Sequence, residues 1–462
     1  MKLMLIFPRM KYQPGDPPLG ICGIASHVKK TTNAKVSIID TTFKPTFEYI
    51  EKNIQKLRPD MIGIYTDTLM YNDFVKVTKI AKKYGCFVFT GGPHPTVMPE
   101  TVKPYVDAII PGESEITVAD LVNKFPNLSK VKGVVYKKTS KAKGKESVTW
   151  ITNPPRPYIQ DLDSLDFPAV DMVDMEKYIQ KWHQLDAFDP TIRGTNIMSS
   201  RGCPYNCSFC QPNLRELFGE KVRHRSPENV IAELKFLKKK FKLGGFFLHD
   251  DTFNIDGNWV KSFCHLLVSE KLNLYWACNA RINTLLDIEE LTMMRDAGLR
   301  MVHTGVESAS QRVLNDIYRK GIKVKDVPIA LNNLKLLGIQ SLCFFMLGAP
   351  TETKEEIRKT IKFAVSLNAT EITASITTPL PGSKLYEIMK DKYPMTGDFS
   401  QFDYYKSRAF EDENLTFKEL KRFQLEILFK FYAHPKRWAY ILKHFISING
   451  IRKMWSKIRR FV

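Results

Sequence analysis

Three of the eight cysteines in this 462-residue chain fall within the stretch MSSRGCPYNCSFCQP, residues 198 to 212. Cys203, Cys207 and Cys210 are separated by three and then two residues, with no fourth cysteine nearby. Clustered thiolates bind metal. A structural zinc site closes a set of four ligands, commonly from paired CxxC or from CxxC with HxxxH. Here there is neither a second pair nor a histidine at ligand spacing, so zinc is disfavoured. A buried structural trio fits less well still, because Pro204, Asn206 and Ser208 make this a polar loop. A cube of four irons and four sulfides takes four thiolates. Three would leave one iron without a protein ligand, and an open metal position is where a substrate or cosubstrate can bind, as at catalytic zinc.

Such a loop needs a scaffold to carry it. From residue 194 the segments TNIMSS, GFFLHD, LYWACN, MVHTGV, QSLCFFML and EITASITT read as strands with helical patterns between them. Ser226 with Pro227 forms a helix start, and Thr353 with Glu356 a capping box. Six βα units over 193–400 predict a partial (β/α)8 barrel, whose active site lies at the carboxyl ends of its strands. The cysteines follow the first of those strands.

Upstream, KLMLIF, KVSIID, MIGIYT, CFVFTG and VDAIIP alternate with helical spacing near 20–30, 46–57, 72–84 and 114–125. Strands apolar on both faces, separated by helices, predict a doubly wound parallel sheet over 1–150. Ligands of such a sheet bind beyond the carboxyl ends of its strands. Those ends carry Pro17 to Gly20, Thr66, GGPHP (Gly91 to Pro95) and PGESE (Pro111 to Glu115). Glycines at three of them let backbone approach a large ligand. The pattern weakens over 126–192, with a basic patch at 137 to 145 and NPPRP at 153 to 157, which predicts a hairpin extension and a linker over 151–192. Residues 401–462 read as a helical, basic extension.

Length predicts two domains, and 44% hydrophobic with 26% charged residues is a globular composition. No run approaches the roughly 18 apolar residues of a membrane span. The start, MKLMLIFPRM, is too short in its apolar part for a signal peptide and lacks a cleavage site, so a cytoplasmic location is expected. Cys22, Cys86, Cys264, Cys278 and Cys343 lie in apolar contexts and read as core thiols. The net charge of +20 invites nucleic acid or an anionic membrane surface as a partner. Much of it is in the tail: from Ile427 to Val462 there is no Asp or Glu, against nine Lys and Arg. Ile451, Met454, Trp455, Ile458 and Val462 line one face of a last basic helix. That pattern reads as a membrane-surface element peripheral to the inner face; a terminal helix docked on the barrel is the alternative. No RNA-binding module is recognisable, so nucleic acid is not an expected partner.

CPYNCSFC resembles the CxxxCxΦC signature of the radical S-adenosylmethionine (SAM) superfamily, with Phe209 at the aromatic position. The resemblance implies a [4Fe–4S] cluster on Cys203, Cys207 and Cys210, with the amino and carboxylate groups of SAM chelating the fourth iron. An electron from an external donor of flavodoxin or ferredoxin type would cleave SAM to methionine and a 5′-deoxyadenosyl radical, which abstracts hydrogen from an unactivated carbon. Asp250 and Asp251 of HDDTF lie where the family contacts the SAM amino group, although its common GGE form is absent. Glu307 of GVES resembles the ribose-binding position, with Ser308 beside it, since a carboxylate accepts from two vicinal hydroxyls. Arg281 could pair with the SAM carboxylate or make a surface ion pair. FMLGAPTET, with Gly348, and TTPLPGSKLY resemble the segments that approach the adenosine.

PPLG and GGPHPT resemble the cobalamin-binding subclass, which includes anaerobic protoporphyrin ester cyclases and cobalamin-dependent methylases. The resemblance runs over residues 1 to 400 and implies cobalamin, lined by Leu19, Gly20, Thr66, Gly91, Gly92 and His94. There is no DxHxxG string to supply an axial histidine. Either cobalt is bound without a lower histidine or the domain no longer binds cobalamin; His94 is a crevice residue or a loop histidine bonded to backbone. The reaction implied is cobalamin-dependent methyl transfer to a carbon of a small-molecule or lipid-like substrate. Oxidative cyclisation or another C–H oxidation is its competitor, and a non-catalytic iron–sulfur or cobalamin-binding protein is the third reading.

Overall fold

Leu3, Leu5 and Phe7 of β1 (Lys2–Phe7) alternate with Met4 and Ile6, and the alternation sends the two sets into different cores. A strand apolar on both faces needs cover on both, and helices supply it. The structure is a computed structural model that describes residues 1–11, 16–142, 145–210, 213–410, 415–438 and 442. It divides into two units, Met1–Tyr178 with Gln211–Arg223, and Ile179–Cys210 with His224–Val462.

In the first unit β1 is followed by α1 (Leu19–Thr31), β2 (Lys35–Asp40), α2 (Phe47–Leu57), β3 (Met61–Tyr65) and α3 (Tyr71–Lys83). Then come β4 (Phe87–Gly91), the short α4 (Pro93–Val97) and α5 (Pro99–Val102), β5 (Ala108–Ile110), α6 (Glu115–Lys124) and the hairpin β6 (Val135–Ala142) and β7 (Lys145–Thr152). The sheet order is β2-β1-β3-β4-β5-β6-β7. Its first five strands are parallel, and the hairpin extends the β5 edge in antiparallel pairing. Ile21 and Val28 of α1 and Val118 and Leu121 of α6 fill one core; Ile50 and Ile54 of α2 and Phe74 and Val77 of α3 fill the other. Strand order reverses between β1 and β3, which opens a crevice at their carboxyl ends.

The stretch expected as a linker is packed into this unit as far as Tyr178. The Tyr178 hydroxyl lies 2.6 Å from Asp40 Oδ2 and 2.9 Å from Thr42 Oγ1, and Asn153 Nδ2 donates to the carbonyls of Leu128 and Val131. The residues after the cysteines also belong here. Arg223 Nη1 donates to both carboxylate oxygens of Glu113 at 3.1 Å, and its guanidinium lies 5.3 Å from the Tyr158 ring. Glu113, read from sequence as a crevice residue of PGESE, therefore anchors chain.

α7 (Met175–Lys181) leads into the second unit, where β8 (Gly194–Ile197) and β9 (Ser200–Arg201) precede the cysteines; α8 (Asn213–Phe218), which belongs to the first unit, and β10 (Arg223–His224) follow them. The series continues with α9 (Pro227–Phe241), β11 (Gly245–Leu248), α10 (Gly257–Ser269), β12 (Tyr275–Asn279), α11 (Ile288–Asp296) and β13 (Leu299–Glu307). It ends with α12 (Asp326–Leu336), β14 (Gln340–Leu347), α13 (Lys354–Ser366), β15 (Glu371–Ile376), α14 (Lys384–Met389) and α15 (Phe417–Ala433). The sheet, β15-β14-β13-β12-β11-β8, is parallel throughout and runs in chain order, as six βα units of an open barrel require. Both expected helix starts form: Ser226 Oγ accepts from Asn229 N, and Thr353 with Glu356 makes the capping box. The edge at β15 is covered by α15, whose Tyr432 hydroxyl donates to Ile372 O and accepts from Ile372 N, satisfying groups that would otherwise invite another strand.

The five scattered cysteines are buried, as expected. Among the described residues no helix is long and apolar enough to cross a membrane. The basic helix read at 451–462 lies outside the described residues.

Candidate functional site

The loop that carries the cysteines is pinned at its far end. Ser208 N donates to Tyr318 O (2.9 Å), Ser208 Oγ donates to Ile317 O, and Leu385 N donates to Ser208 O (2.8 Å). Phe209 sets its ring edgewise on Tyr318 at 5.0 Å and packs against Leu385, Met389 and Phe410. The aromatic position of the motif thus serves as a hydrophobic peg that seats the loop while its ring stays partly exposed. Cys203, Cys207 and Cys210 are free and half-exposed. Burial pushes the Cys203 thiol up; burial, then the charges of Cys207, Asp251 and Cys203, push Cys210 up to about 12. Coordination to iron reverses that cost, because a bound metal cation stabilises the thiolate. Among the described residues no group of three His, Cys, Asp or Glu could hold a single metal ion. A cube spreads its protein ligands over different irons, which three thiols of one loop can serve without converging on a single metal ion.

The adjacent aspartates of HDDTF separate into two roles. Asp250 is buried; its Oδ1 accepts from Ser199 N (2.8 Å) and Ser200 N (2.9 Å), and its Oδ2 from Ser199 Oγ. It staples the ends of β8 and β11 together, so the expectation of a SAM contact fails for Asp250. Asp251 is solvent-accessible but recessed; desolvation and then the Asp250 charge push its carboxyl up to about 7. Of the two carboxylates it is the exposed one.

Glu307 ends β13 with φ +63, a left-handed conformation that is rare for a residue with a side chain and clusters at functional sites. Its carboxylate is paired with Lys320 Nζ at 2.7 Å, both residues being under a tenth exposed. The pair occupies the space a side chain at Gly305 would need. Lys320, which the sequence reading did not single out, also lies 5.6 Å from the Phe209 ring, and it follows a π-helical turn over Val313–Ile317. Irregular turns of that kind are a signal that could have found it, but only once helical geometry is known. Arg281 is buried and makes no surface ion pair: Nη1 donates to Cys207 Sγ (3.4 Å), Nη2 to Lys320 O, and the guanidinium lies 3.7 Å from the Tyr205 ring centroid.

Ser308 points into protein. Its Oγ lies 3.3 Å from Thr360 Oγ1 and accepts from Ser310 N, so it buttresses the turn after Glu307 instead of facing a cofactor. Gly348 has φ +79, and a Cβ there would strike Leu420 of α15, so helix packing already requires glycine at this position. Glu352 gathers the turn through Gly348 N (2.7 Å) and Ala349 N (3.0 Å), and burial pushes it up to about 7. At the mouth of β11, Trp182 Nε1 donates to Asn196 Oδ1 (2.8 Å), which turns Asn196 Nδ2 toward His249 Nδ1 (3.0 Å). An indole can only donate, so the chain of bonds assigns exposed His249 the Nε2–H tautomer.

In the first unit the strand-end residues are brought together but most are occupied. Thr66 is buried, with Oγ1 3.0 Å from Thr90 Oγ1 and its N–H donating to Gly91 O. His94 is also buried; Nδ1 lies 3.2 Å from Thr68 Oγ1 and Nε2 3.0 Å from Thr101 Oγ1, and burial lowers its pKa to about 4. His94 is therefore a core histidine with both nitrogens engaged by hydroxyls, and the expectation of a crevice residue fails for it. Gly92 has φ +106, and a Cβ would press on Thr66 O and the Tyr65 ring. Leu19 is half-buried and Gly20 exposed at the start of α1, with nothing within 4 Å of where a Gly20 Cβ would lie. Gly20 is exposed and Gly91 and Gly92 are partly exposed, so backbone remains open at these strand ends.

Residues 197–364 match the Radical SAM superfamily and residues 15–122 the B12 binding domain. An uncharacterized methyltransferase of Pyrococcus horikoshii is 35% identical over 402 residues, 84% of this chain and 83% of that protein. The anaerobic magnesium-protoporphyrin IX monomethyl ester cyclase of Rubrivivax gelatinosus is 29% identical over 425 residues, 87% of this chain and 72% of that protein. Among solved structures, the radical S-adenosylmethionine methyltransferase TsrM from Kitasatospora setae, with cobalamin and a [4Fe-4S] cluster bound, superposes with a TM-score of 0.68 at 16% identity, covering 84% of this chain and 75% of that one. At that identity the likeness shows the shared fold. A cysteine loop one ligand short on a six-stranded open barrel, and a sheet of order 2-1-3-4-5 before it, agree with those matches: the chain belongs to the radical SAM superfamily, in the group that also carries a B12-binding domain.

Proposed function

We propose that this radical SAM enzyme transfers a methyl group to an unactivated carbon of a small-molecule substrate, with cobalamin as methyl carrier. The observation that carries the reading is the pairing, in one chain, of a three-thiol loop at the carboxyl ends of barrel strands with a separate strand-order-reversal crevice of the B12-binding type. When bound, the [4Fe–4S] cluster with SAM supplies a carbon radical, and cobalamin supplies a transferable methyl group. Cys203, Cys207 and Cys210 would hold the cluster. Asp251 would accept from the SAM amino group and Glu307 from the ribose hydroxyls, with Lys320 keeping the Glu307 carboxylate in place. Gly20, Gly91 and Gly92 would face cobalamin with backbone, Leu19 with its side chain; Thr66 would position its strand end and Phe209 would seat the cysteine loop.

The Pyrococcus relative supports methyl transfer. The Rubrivivax relative supports a second reading, oxidative ring formation. Anaerobic reconstitution followed by measurement of iron, sulfide and cobalt, then of SAM products under reduction, separates them. Methyl transfer yields S-adenosylhomocysteine beside 5′-deoxyadenosine; ring formation yields 5′-deoxyadenosine alone; neither product would sink both. The electron would come from a small low-potential protein of flavodoxin or ferredoxin type.

A peripheral contact with anionic lipid is part of the proposal. Phe429 (74% exposed) and Leu425 lie one turn apart on α15, Trp438 and Leu442 are exposed beyond it, and every charged residue after Glu426 is basic. Cosedimentation with phosphatidylserine vesicles, lost on truncation after Ala433, is the expected result; equal sedimentation of the two forms would refute the contact.

A further inference from the structure

The sequence leaves Arg281 either a partner of the SAM carboxylate or half of a surface ion pair, whereas its contacts are with the cysteine loop and the segments beside it. Three of them come from different parts of the second unit. Nη1 donates to Cys207 Sγ at 3.4 Å, Nη2 to the main-chain carbonyl of Lys320, and Nε to Asn283 Oδ1 at 3.3 Å. Tyr205, between two of the cysteines, lies under the guanidinium at 3.7 Å, and Asn283 Nδ2 reaches the Tyr205 hydroxyl at 3.4 Å. The residue is 7% exposed. A side chain held on three nitrogens and one face has little freedom to turn toward a diffusible ligand.

The Cys207 sulfur stands for the thiolate that would bind iron. A cation donating a hydrogen bond to that sulfur stabilises negative charge on the cluster, and the reduced cluster carries one more negative charge than the oxidised one. Hydrogen bonds to the sulfurs and local charge are the protein's means of setting a cluster's reduction potential. We infer that Arg281 is a positioning residue of the cluster loop that raises the reduction potential of the cluster through Cys207, so that a physiological donor can deliver the electron on which SAM cleavage depends. The inference rests on the proposed cluster. It assigns Arg281 to the electron-transfer half of the reaction rather than to SAM binding.

The test is a redox titration of the anaerobically reconstituted full-length protein, followed by electron paramagnetic resonance and made without SAM, so that any role in SAM binding is silent. Arg281→Met is expected to lower the midpoint so that, at a fixed poise, the reduced-to-oxidised ratio falls about tenfold, which is about 59 mV for one electron. Arg281→Lys, which keeps the charge but not the fork, should recover part of the shift. Asn283→Ala, which frees Nε while leaving the cation in place, should move the midpoint the same way by less. The dissociation constant for SAM should change less than twofold in Arg281→Met. A wild-type midpoint in Arg281→Met overturns the inference, and so does an unshifted midpoint with SAM affinity down tenfold, which returns Arg281 to the carboxylate. If Arg281→Met takes up no iron, Asn283→Ala decides, and an unshifted midpoint there is fatal. A wild-type protein that takes up no four-iron cluster defeats the functional reading itself, a different result from a loaded cluster that ignores Arg281.

Discussion

The two sets of strand ends in this chain are built on opposite plans. At the carboxyl ends of the first sheet, hydroxyls and the His94 imidazole satisfy one another and glycine backbone is left outermost. At the ends of the barrel strands, charged groups take the place of hydroxyls: Glu307 buried against Lys320, Arg281 buried on Cys207, and Asp251 exposed. A site for a large preformed cofactor can work by shape, because such a ligand brings its own metal and its own polar groups. A site that assembles a cluster and binds a zwitterion has to supply ligands and counter-charges. Substitutions at the barrel ends should therefore remove chemistry, and substitutions at the sheet ends should change fit and stability.

The largest effect is expected at Cys207. Cys207→Ala should yield no 5′-deoxyadenosine and reduced iron, while cobalt content after reconstitution stays at the wild-type level, because the crevice of the first unit uses none of the cysteines. Loss of cobalt together with iron would break the contrast. Glu307→Gln is next. It leaves Lys320 buried without its counter-charge, a loss of about 3 to 5 kcal/mol in denaturant unfolding. Adding Lys320→Met should restore most of that stability, since a buried pair replaced by apolar groups is often neutral. It should not restore SAM binding if the Glu307 carboxylate is what the ribose meets. Restored binding in the double variant would make the pair purely structural.

The elements were largely legible in the sequence, because apolar runs broken by helical patterns leave few alternatives. QSLCFFML forms β14 with both ends as read, and the first helix, expected near 20–30, spans Leu19–Thr31. The cysteine triad was legible because its spacing is its signal. Partners brought in by the fold were not. Nothing about Lys320 announces that it will turn back onto Glu307, since the approach depends on a π-helical turn and on the missing side chain at Gly305. Asp250 and Asp251 are identical in type and adjacent, yet only the fold shows that one accepts two backbone N–H groups and the other none. His94 looked like a crevice group because GGPHP follows the carboxyl end of a strand; the hydroxyls that enclose it come from Thr68 and Thr101.

That enclosure has a pH signature. His94 is buried neutral, with its pKa lowered from 6.5 to about 4 by desolvation. The folded state thus resists the proton that the unfolded chain accepts. Its contribution is intact above about pH 6.5 and is lost as pH falls toward 4, by about 3 kcal/mol at the lower limit. Unfolding measured across that range should be steeper in the wild type than in His94→Asn by this amount. The visible spectrum of bound cobalamin should be the same in both. A spectral change on substitution would mean that the imidazole reaches cobalt and that the first crevice, like the second, supplies a ligand.

The smallest effect tests shape alone. Gly20 is exposed in the first turn of α1, and a Cβ there would meet nothing within 4 Å, so Gly20→Ala adds a methyl group to open space. In the cofactor-free protein the change should raise stability by about 0.5 to 1 kcal/mol, because alanine loses less backbone entropy than glycine in a helix. If the open space is where cobalamin lies, the same methyl group should weaken cobalamin retention during gel filtration while SAM cleavage by the cluster is unaffected. A variant that is more stable and retains cobalamin fully would show that α1 presents its start to solvent, and that the crevice is lined from Gly91 and Gly92 instead. The two outcomes differ for one cofactor and agree for the other, which is what a crevice defined by backbone and a site defined by charge should produce.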